Sequence, residues 1–287
     1  MRLVTWNVNS LRARLPRVLE LLAEHQPDVV CLQETKCTAE SFPAAELAGA
    51  GYRATHHSAG RWAGVALLGR EDLELSDSSI GLPGEPDPAQ ARWCEATIRG
   101  IRFASAYVPN GRALDSKELS LKLAFLDAVA ERVGALRGRP LVVAGDLNVA
   151  PADDDVYDPA AFVGSTHVTP AERVAVERIL AQGLVDAYRE LHPAGRGRHV
   201  ASATSESEQP ERERREAPAA DKSARPERGF TWWDYRAGHF HRGLGMRIDL
   251  ALLSPDLAAR LSACGIDRAY RKGAKPSDHA PLLVELA

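Results

Sequence analysis

An α/β fold is predicted for this 287-residue chain by two observations. Short apolar runs bounded by Gly, Pro and Asn recur along it at strand length, and stretches with apolar residues at helical spacing separate several of them. Residues 3–6 read as a first buried strand. Leu11, Leu15, Val18, Leu19 and Leu22 then mark one face of a helix that Gln26-Pro27 ends, and residues 28–32 form the next strand. Residues 64–68 are a further strand, and residues 92–98 with 101–108, joined through Gly100, predict a hairpin. A helix over 116–133 follows, with Leu119, Leu123, Leu126, Val129 and Val133 on one face, and then a strand at 141–144. Thr169-Pro170-Ala171-Glu172 is a capping box with Pro at the first helical position, for a helix that Gly183 stops. Strands at 248–253 and 281–286 complete the reading.

Composition narrows the classes. With 45% hydrophobic and 26% charged residues the chain has enough apolar side chain for a substantial core, so disorder throughout is excluded. The formal net charge of -3 excludes a histone-like binder, so a nucleic-acid partner has to be met by a local basic patch. Four cysteines without C-x-x-C spacing point to a reducing, cytoplasmic setting and to neither a disulfide framework nor a zinc site. No apolar stretch suits a signal peptide or a membrane span, so neither secretion nor a membrane is expected. Residues 194–228 lack apolar periodicity and are rich in Arg, Glu, Ser, Ala and Pro. They are read as a disordered insertion in an otherwise single domain over 1–287, a solvated spacer in preference to a DNA-tracking arm because their charges nearly cancel.

The chemically informative pattern is a set of polar residues beside strand ends. Asn7 follows Val4-Thr5-Trp6, Gln33-Glu34 follows Val29-Val30-Cys31-Leu32, and Tyr107 closes its run. Asp146 and Asn148 follow Leu141-Val142-Val143-Ala144, Asp249 lies within Arg247-Ile248-Asp249-Leu250, and Asp278-His279 precedes the final strand. Each alone has a structural reading as turn former, helix cap or core histidine. Strand ends, together with the starts of antiparallel neighbours, would gather them on one sheet edge as a cluster of carboxylates, amides, a phenol and an imidazole.

In fixed order these blocks resemble the exonuclease III family of apurinic/apyrimidinic endonucleases, within the endonuclease/exonuclease/phosphatase superfamily. The resemblance rests on Thr5-Trp6-Asn7-Val8-Asn9-Ser10, Leu32-Gln33-Glu34-Thr35-Lys36, Ala106-Tyr107-Val108-Pro109-Asn110-Gly111 and Gly145-Asp146-Leu147-Asn148-Val149-Ala150-Pro151. It continues through Phe230-Thr231-Trp232-Trp233-Asp234-Tyr235-Arg236, Arg247-Ile248-Asp249-Leu250 and Ser277-Asp278-His279-Ala280-Pro281. It departs from the family in the length of the insertion.

The resemblance implies a four-layered α/β sandwich, with two mixed β-sheets packed face to face and helices outside. It also implies a monomeric, metal-dependent DNA repair nuclease that cuts 5′ to abasic sites and acts on 3′ ends of duplex DNA as exonuclease, phosphodiesterase and phosphatase. Its catalytic residues would be Tyr107, Asp146, Asn148, Asp249 and His279. Its metal residues would come from Asn7, Glu34, Asp146, Asn148, Asp278 and His279, whose hard oxygens suit Mg²⁺, with Mn²⁺ as substitute. Asn110, Trp232 and Met246 would line a pocket for the abasic sugar. Arg112, Arg236 and Arg247 stand as phosphate contacts or as ordinary surface and structural arginines. Two rivals keep the fold: a phosphoesterase acting on small phosphates, and a non-catalytic DNA-binding relative, which would be expected to have lost Glu34, Asp146 or His279.

Overall fold

The computed structural model describes residues 1–194 and 229–287, so most of the predicted insertion lies outside the described residues. In chain order the elements are β1 (Arg2–Asn7), α1 (Leu11–His25), β2 (Val29–Gln33), α2 (Ala44–Gly49), β3 (Tyr52–His57), β4 (Val65–Arg70), β5 (Ser76–Ile80), β6 (Trp93–Ile98) and β7 (Ile101–Tyr107). They continue with α3 (Lys117–Ala135), β8 (Leu141–Asp146), α4 (Pro170–Leu180), β9 (Val185–Asp186), α5 (Ala187–Leu191), α6 (His239–Arg242), β10 (Asp249–Leu253), α7 (Pro255–Ala258), β11 (Leu261–Ile266) and β12 (Leu282–Leu286).

Among the described residues the strands form two six-stranded sheets, ordered β11-β12-β1-β2-β4-β3 and β5-β6-β7-β8-β10-β9. Each is mixed. β1 runs parallel to β2, with α1 as the crossover, and β7 runs parallel to β8, with α3 as the crossover; the other pairs are antiparallel.

Side-chain alternation builds the layers. Leu3, Val29, Cys31 and Val284 of the first sheet meet Phe103, Val142, Ala144 and Ala251 of the second in a central core. The opposite faces carry Val4, Trp6, Val30 and Leu32 against Val18, Leu21 and Leu22 of α1, and Ala104, Leu141, Val143 and Leu250 against Phe125, Val129, Val176 and Ile179 of α3 and α4. The result is the expected four-layered sandwich of helices, sheet, sheet and helices.

Local chemistry fixes the boundaries. Ser10 and Ser116 cap α1 and α3, and α4 starts with the predicted capping box, in which Thr169 and Glu172 satisfy each other's backbone. The β6–β7 hairpin turns at Arg99 and Gly100, both at positive φ. β3, β5, β9 and β11 lie outside the strands that the sequence predicts. All four are sheet edges, and the largely exposed Ser-Asp-Ser-Ser sequence of β5 gives no apolar alternation to read.

Candidate active site

The topology carries the polar residues to one seam between the sheets. β1, β2, β7 and β8 end there, delivering Asn7, Glu34, Tyr107 and Asp146. β10 and β12 are antiparallel to β8 and β1 and start there, delivering Asp249 and His279; Asp249 lies opposite Asp146 in the ladder. Two site residues sit in the left-handed region, Glu34 at φ 53° and Asn148 at φ 52°, unusual for non-glycine residues. The glycine before Asp146 is required by close packing, because a Cβ at Gly145 would stand 1.9 Å from the Ala106 carbonyl oxygen.

At the centre the Asn7 Nδ2 donates to both Glu34 Oε1 and Asp146 Oδ2, each at 2.8 Å. Its Oδ1 accepts from the Asn9 backbone N–H at 3.0 Å, which fixes the amide orientation. Two carboxylates from different sheets are thus clamped by one amide. His279 joins them: its Nδ1 is 2.8 Å from Asp249 Oδ2 and its Nε2 lies 3.7 Å from Asp146 Oδ2. Ligand atoms of Glu34, Asp146 and His279 lie within 4.8 Å of one another. Two carboxylates and an imidazole converging in this way can hold a divalent ion, and the carboxylate oxygens are of the hard type that Mg²⁺ and Mn²⁺ prefer.

Burial and neighbouring charge tune these groups in different directions. Burial pushes the Asp146 carboxyl up to about 7, with the Asp249 and Glu34 charges adding to it and His279 and Asn7 opposing. Burial works against the His279 cation, yet the Asp249 and Asp146 carboxylates outweigh it and hold the ring at about 10, charged through neutral pH. Burial would also raise Glu34, but the Lys36 ammonium, 2.6 Å from Oε2, and the Asn7 amide keep it below the usual carboxylate range. Tyr107 is raised well above the ordinary phenol by burial and by Glu34 and Asp146, so it keeps its proton.

The remaining predicted residues surround this cluster. Asn148 donates from Nδ2 to the Val108 carbonyl at 2.9 Å and accepts from Asn110 Nδ2 at 3.4 Å, while its backbone N–H donates to Asp146 Oδ1 at 2.9 Å. Asp278 is held apart from the central carboxylates, bonded to Asn9 Nδ2 at 3.0 Å and Trp232 Nε1 at 3.2 Å. Trp232 is half-buried over Met246, which is only 1% exposed and pairs with it through the backbone. Met246 therefore supports Trp232 from beneath.

The three arginines take different places. Arg247 is fully buried with its guanidinium on Asp155 at 2.6 Å and Asp186 at 2.7 Å, so of its two readings the structural one holds. Arg112 and Arg236 are exposed and paired with Glu118 and Asp234.

Several contributors carried no assigned role in the sequence reading. Lys36 and Asn9 tie Glu34 to Asp278, with Lys36 Nζ 2.6 Å from Asn9 Oδ1. Arg92 lies 4.7 Å over the Tyr107 ring. The buried Lys122, paired with Glu172, donates to the backbone carbonyls of Asn110 at 3.2 Å and Asn148 at 2.6 Å and so joins the two loops that carry them. His167 lies beside both, with Nδ1 2.5 Å from the Asn148 carbonyl and Nε2 3.4 Å from Asn110 Nδ2. Lys36 and Asn9 lie within the quoted motif blocks, so their position was a signal; His167 and Lys122 had none.

Such a fold and seam define a class of phosphoester hydrolases, and comparison with known proteins agrees. A family model described as the Endonuclease/Exonuclease/phosphatase family matches residues 4–279, and the chain belongs to that family. The relatives place it in the exonuclease III group. Exodeoxyribonuclease III of Haemophilus influenzae is 29% identical over 299 residues, covering 99% of each chain. Among solved structures, the 3′-5′ exonuclease NExo from Neisseria meningitidis superposes with TM-score 0.86 at 37% identity, covering 100% of this chain and 99% of that one. NExo bound to a product DNA hairpin, described there as a 3′ phosphatase, gives 0.86 at 36%, with the same coverage. An AP endonuclease from Archaeoglobus fulgidus gives 0.85 at 32%, again covering 100% and 99%.

Proposed function

We propose that the chain is a divalent-metal-dependent DNA repair nuclease. It removes nucleotides and blocking groups from 3′ ends of duplex DNA and cuts the backbone 5′ to abasic sites. The observation that carries this reading is the Asn7 clamp on Glu34 and Asp146, set beside the His279–Asp249 pair. Further support comes from the relatives, which are named as 3′-5′ exonuclease, 3′ phosphatase and AP endonuclease.

Phosphodiester hydrolysis builds negative charge on the phosphoryl oxygens and on a poor alkoxide leaving group, so the site has to supply positive charge and donors. Glu34 is the principal residue to hold Mg²⁺, or Mn²⁺ in its place, with Asp146 beside it; when bound, the ion supplies Lewis-acid stabilisation of that charge. Asn7 keeps the two carboxylates at their spacing and Asn148 flanks Asp146, while Asp278 stands apart on Asn9 and Trp232. His279, protonated on both nitrogens, serves as a cation and not as a metal ligand. The charged His279, oriented by Asp249, hydrogen-bonds a phosphoryl oxygen through Nε2. Tyr107 donates its hydroxyl to the phosphate. Asp146 positions the attacking water and takes its proton, aided by Asn148, and its raised pKa suits a base working near neutrality. Trp232, backed by Met246 and flanked by Asn110, walls the pocket for a sugar without a base.

We place the activity in one catalytic domain over 1–287, acting as a cytoplasmic monomer, with 194–228 dispensable for the chemistry. No helix among the described residues is long and apolar enough to cross a membrane. The test is a gel assay on one duplex with a central abasic analogue and on one with a recessed, 3′-phosphorylated end, each with Mg²⁺, Mn²⁺ or EDTA. Metal-dependent cleavage is expected on both. Loss of activity on both duplexes alongside turnover of small phosphate esters would assign the site to small phosphates instead.

A further inference from the structure

A cleft of about 690 Å³ opens onto the cluster. It is shared by Glu34, Lys36 and Tyr107, by Asn110 and Arg112 on the segment after β7, and by Trp62. Its volume is in the range that seats a nucleotide-sized ligand. Trp62 is 74% exposed, whereas the other tryptophans are buried or half-buried. A lone exposed apolar side chain is ordinary on a protein surface, but this indole lines the cleft that holds Glu34 and Tyr107, where its π-face can meet a ligand entering the site.

The loop that carries Trp62, between β3 and β4, is locked in place. The Thr35 and Lys36 N–H groups donate to the Gly64 and Ala63 carbonyls, each at 3.0 Å, and the Gly60 N–H donates to the Cys37 carbonyl at 2.9 Å. Gly64 N–H donates in turn to Ala91, next to Arg92, at 2.8 Å. Ala63 and Gly64 hold positive φ, and a Cβ at Gly64 would stand 2.2 Å from Thr35 Oγ1, so the chain can pass here only without one. The indole is therefore set in fixed register with the segment immediately after Glu34. Four cations, Lys36, Arg92, Arg112 and Lys117, line the same cleft with three acids, Glu34, Asp87 and Glu118; Lys36 and Arg112 pair with Glu34 and Glu118, so Arg92 and Lys117 are the cations best placed to meet a phosphate backbone.

We infer that this cleft seats the substrate strand beside the scissile phosphate, and that the Trp62 indole stacks on the base of one nucleotide in it. The inference rests on the nuclease reading above and makes Trp62 a specificity-determining residue. Every base presents a π-face, so the contact reads the presence of a base near the cut and is indifferent to its identity. A strand that lacks that base, as in a cluster of neighbouring lesions, is held less tightly.

The test uses the full chain in EDTA, so that binding is read without cleavage. 2-Aminopurine is placed singly at successive positions around a central abasic analogue and near a recessed 3′ end. At one position the wild-type protein quenches the probe; Trp62→Ala loses the quench and Trp62→Phe keeps part of it. Trp62→Ala weakens binding roughly tenfold when that nucleotide has a base, and leaves binding unchanged when it has none. Its melting temperature stays at the wild-type value, because the ring is exposed.

Three outcomes overturn the inference. One is the absence of any position whose quench depends on Trp62. A second is an equal loss of binding with and without the base. The third is wild-type self-association that Trp62→Ala abolishes with DNA binding intact, which assigns the ring to a protein contact. In each of these the wild type still cuts DNA and the nuclease reading stands; a wild type that neither binds nor cuts duplex sinks both.

Discussion

Asp249 opens β10 of one sheet and His279 lies just before β12 of the other, yet His279 Nδ1 is 2.8 Å from Asp249 Oδ2 in a buried pair. The Asn7 contact with Asp146 spans the same seam. The site is thus assembled by the packing of one sheet on the other, and the central core that fixes that packing also fixes the spacing of the catalytic groups.

Asp249→Asn tests the pair. Burial works against the cation, and Asp249, with Asp146 and Asp278 behind it, outweighs burial and raises the imidazole from its ordinary 6.5 to about 10, so removing the Asp249 charge moves the charge loss down toward neutrality. A charged ring is present below its pKa. The alkaline limb of the pH–rate profile therefore shifts to lower pH, and kcat at pH 8 falls by about 10²-fold or more. An unchanged profile would show that His279 does not act as a cation.

Glu34→Gln removes one formal charge at nearly constant volume. Fold and duplex binding in EDTA are expected to stay as they are, while the metal concentration for half-maximal rate rises about tenfold or more. Titration of the rate with Mg²⁺ and Mn²⁺ reads this directly. Wild-type turnover at low Mg²⁺ would remove Glu34 from the metal site.

Arg247→Met addresses stability. The substitution leaves Asp155 and Asp186 buried without their shared cation, a loss of about 3–5 kcal/mol for a broken buried pair, eased by the second contact of Arg189 to Asp155. The urea midpoint falls with an unchanged m-value, and the salt dependence of DNA binding stays the same. A flatter salt slope would restore Arg247 as a phosphate contact.

Much of this was readable from the residues, and the gaps have physical causes. Strands that carry the site announced themselves because they are buried on both faces, so Val29-Val30-Cys31-Leu32 and Leu141-Val142-Val143-Ala144 are unbroken apolar runs with a polar residue at the end. Edge strands such as β5, and β3 with its exposed Arg53, bury too little to leave a pattern. Convergence of the polar residues on one edge followed from strand direction. Which atoms touch did not: the Asn7 clamp, the Lys36–Glu34 pair and the tie from Lys122 to the Asn110 and Asn148 carbonyls depend on register across two sheets. Buried Arg247 looked like any arginine near a motif, because burial is a property of the fold and leaves no mark at one position.

Trp232→Ala separates recognition from chemistry. Trp232 donates to Asp278 and packs, half-buried, on Met246. Removing the ring opens the pocket, so discrimination between abasic and intact duplex in kcat/KM falls by about tenfold to a hundredfold. Metal affinity is unchanged, since an indole is no ligand. A variant that melts several degrees lower with discrimination intact would make Trp232 a core residue.

Asp146→Asn, measured under single-turnover conditions, asks whether Glu34, Asp146 and His279 work as one phosphodiesterase centre. The amide keeps the shape but cannot accept the proton of the attacking water. The cleavage rate is expected to fall by about 10²-fold or more, with the affinity for uncut duplex in EDTA within a few-fold of wild type. A rate within a few-fold of wild type at saturating enzyme would contradict it.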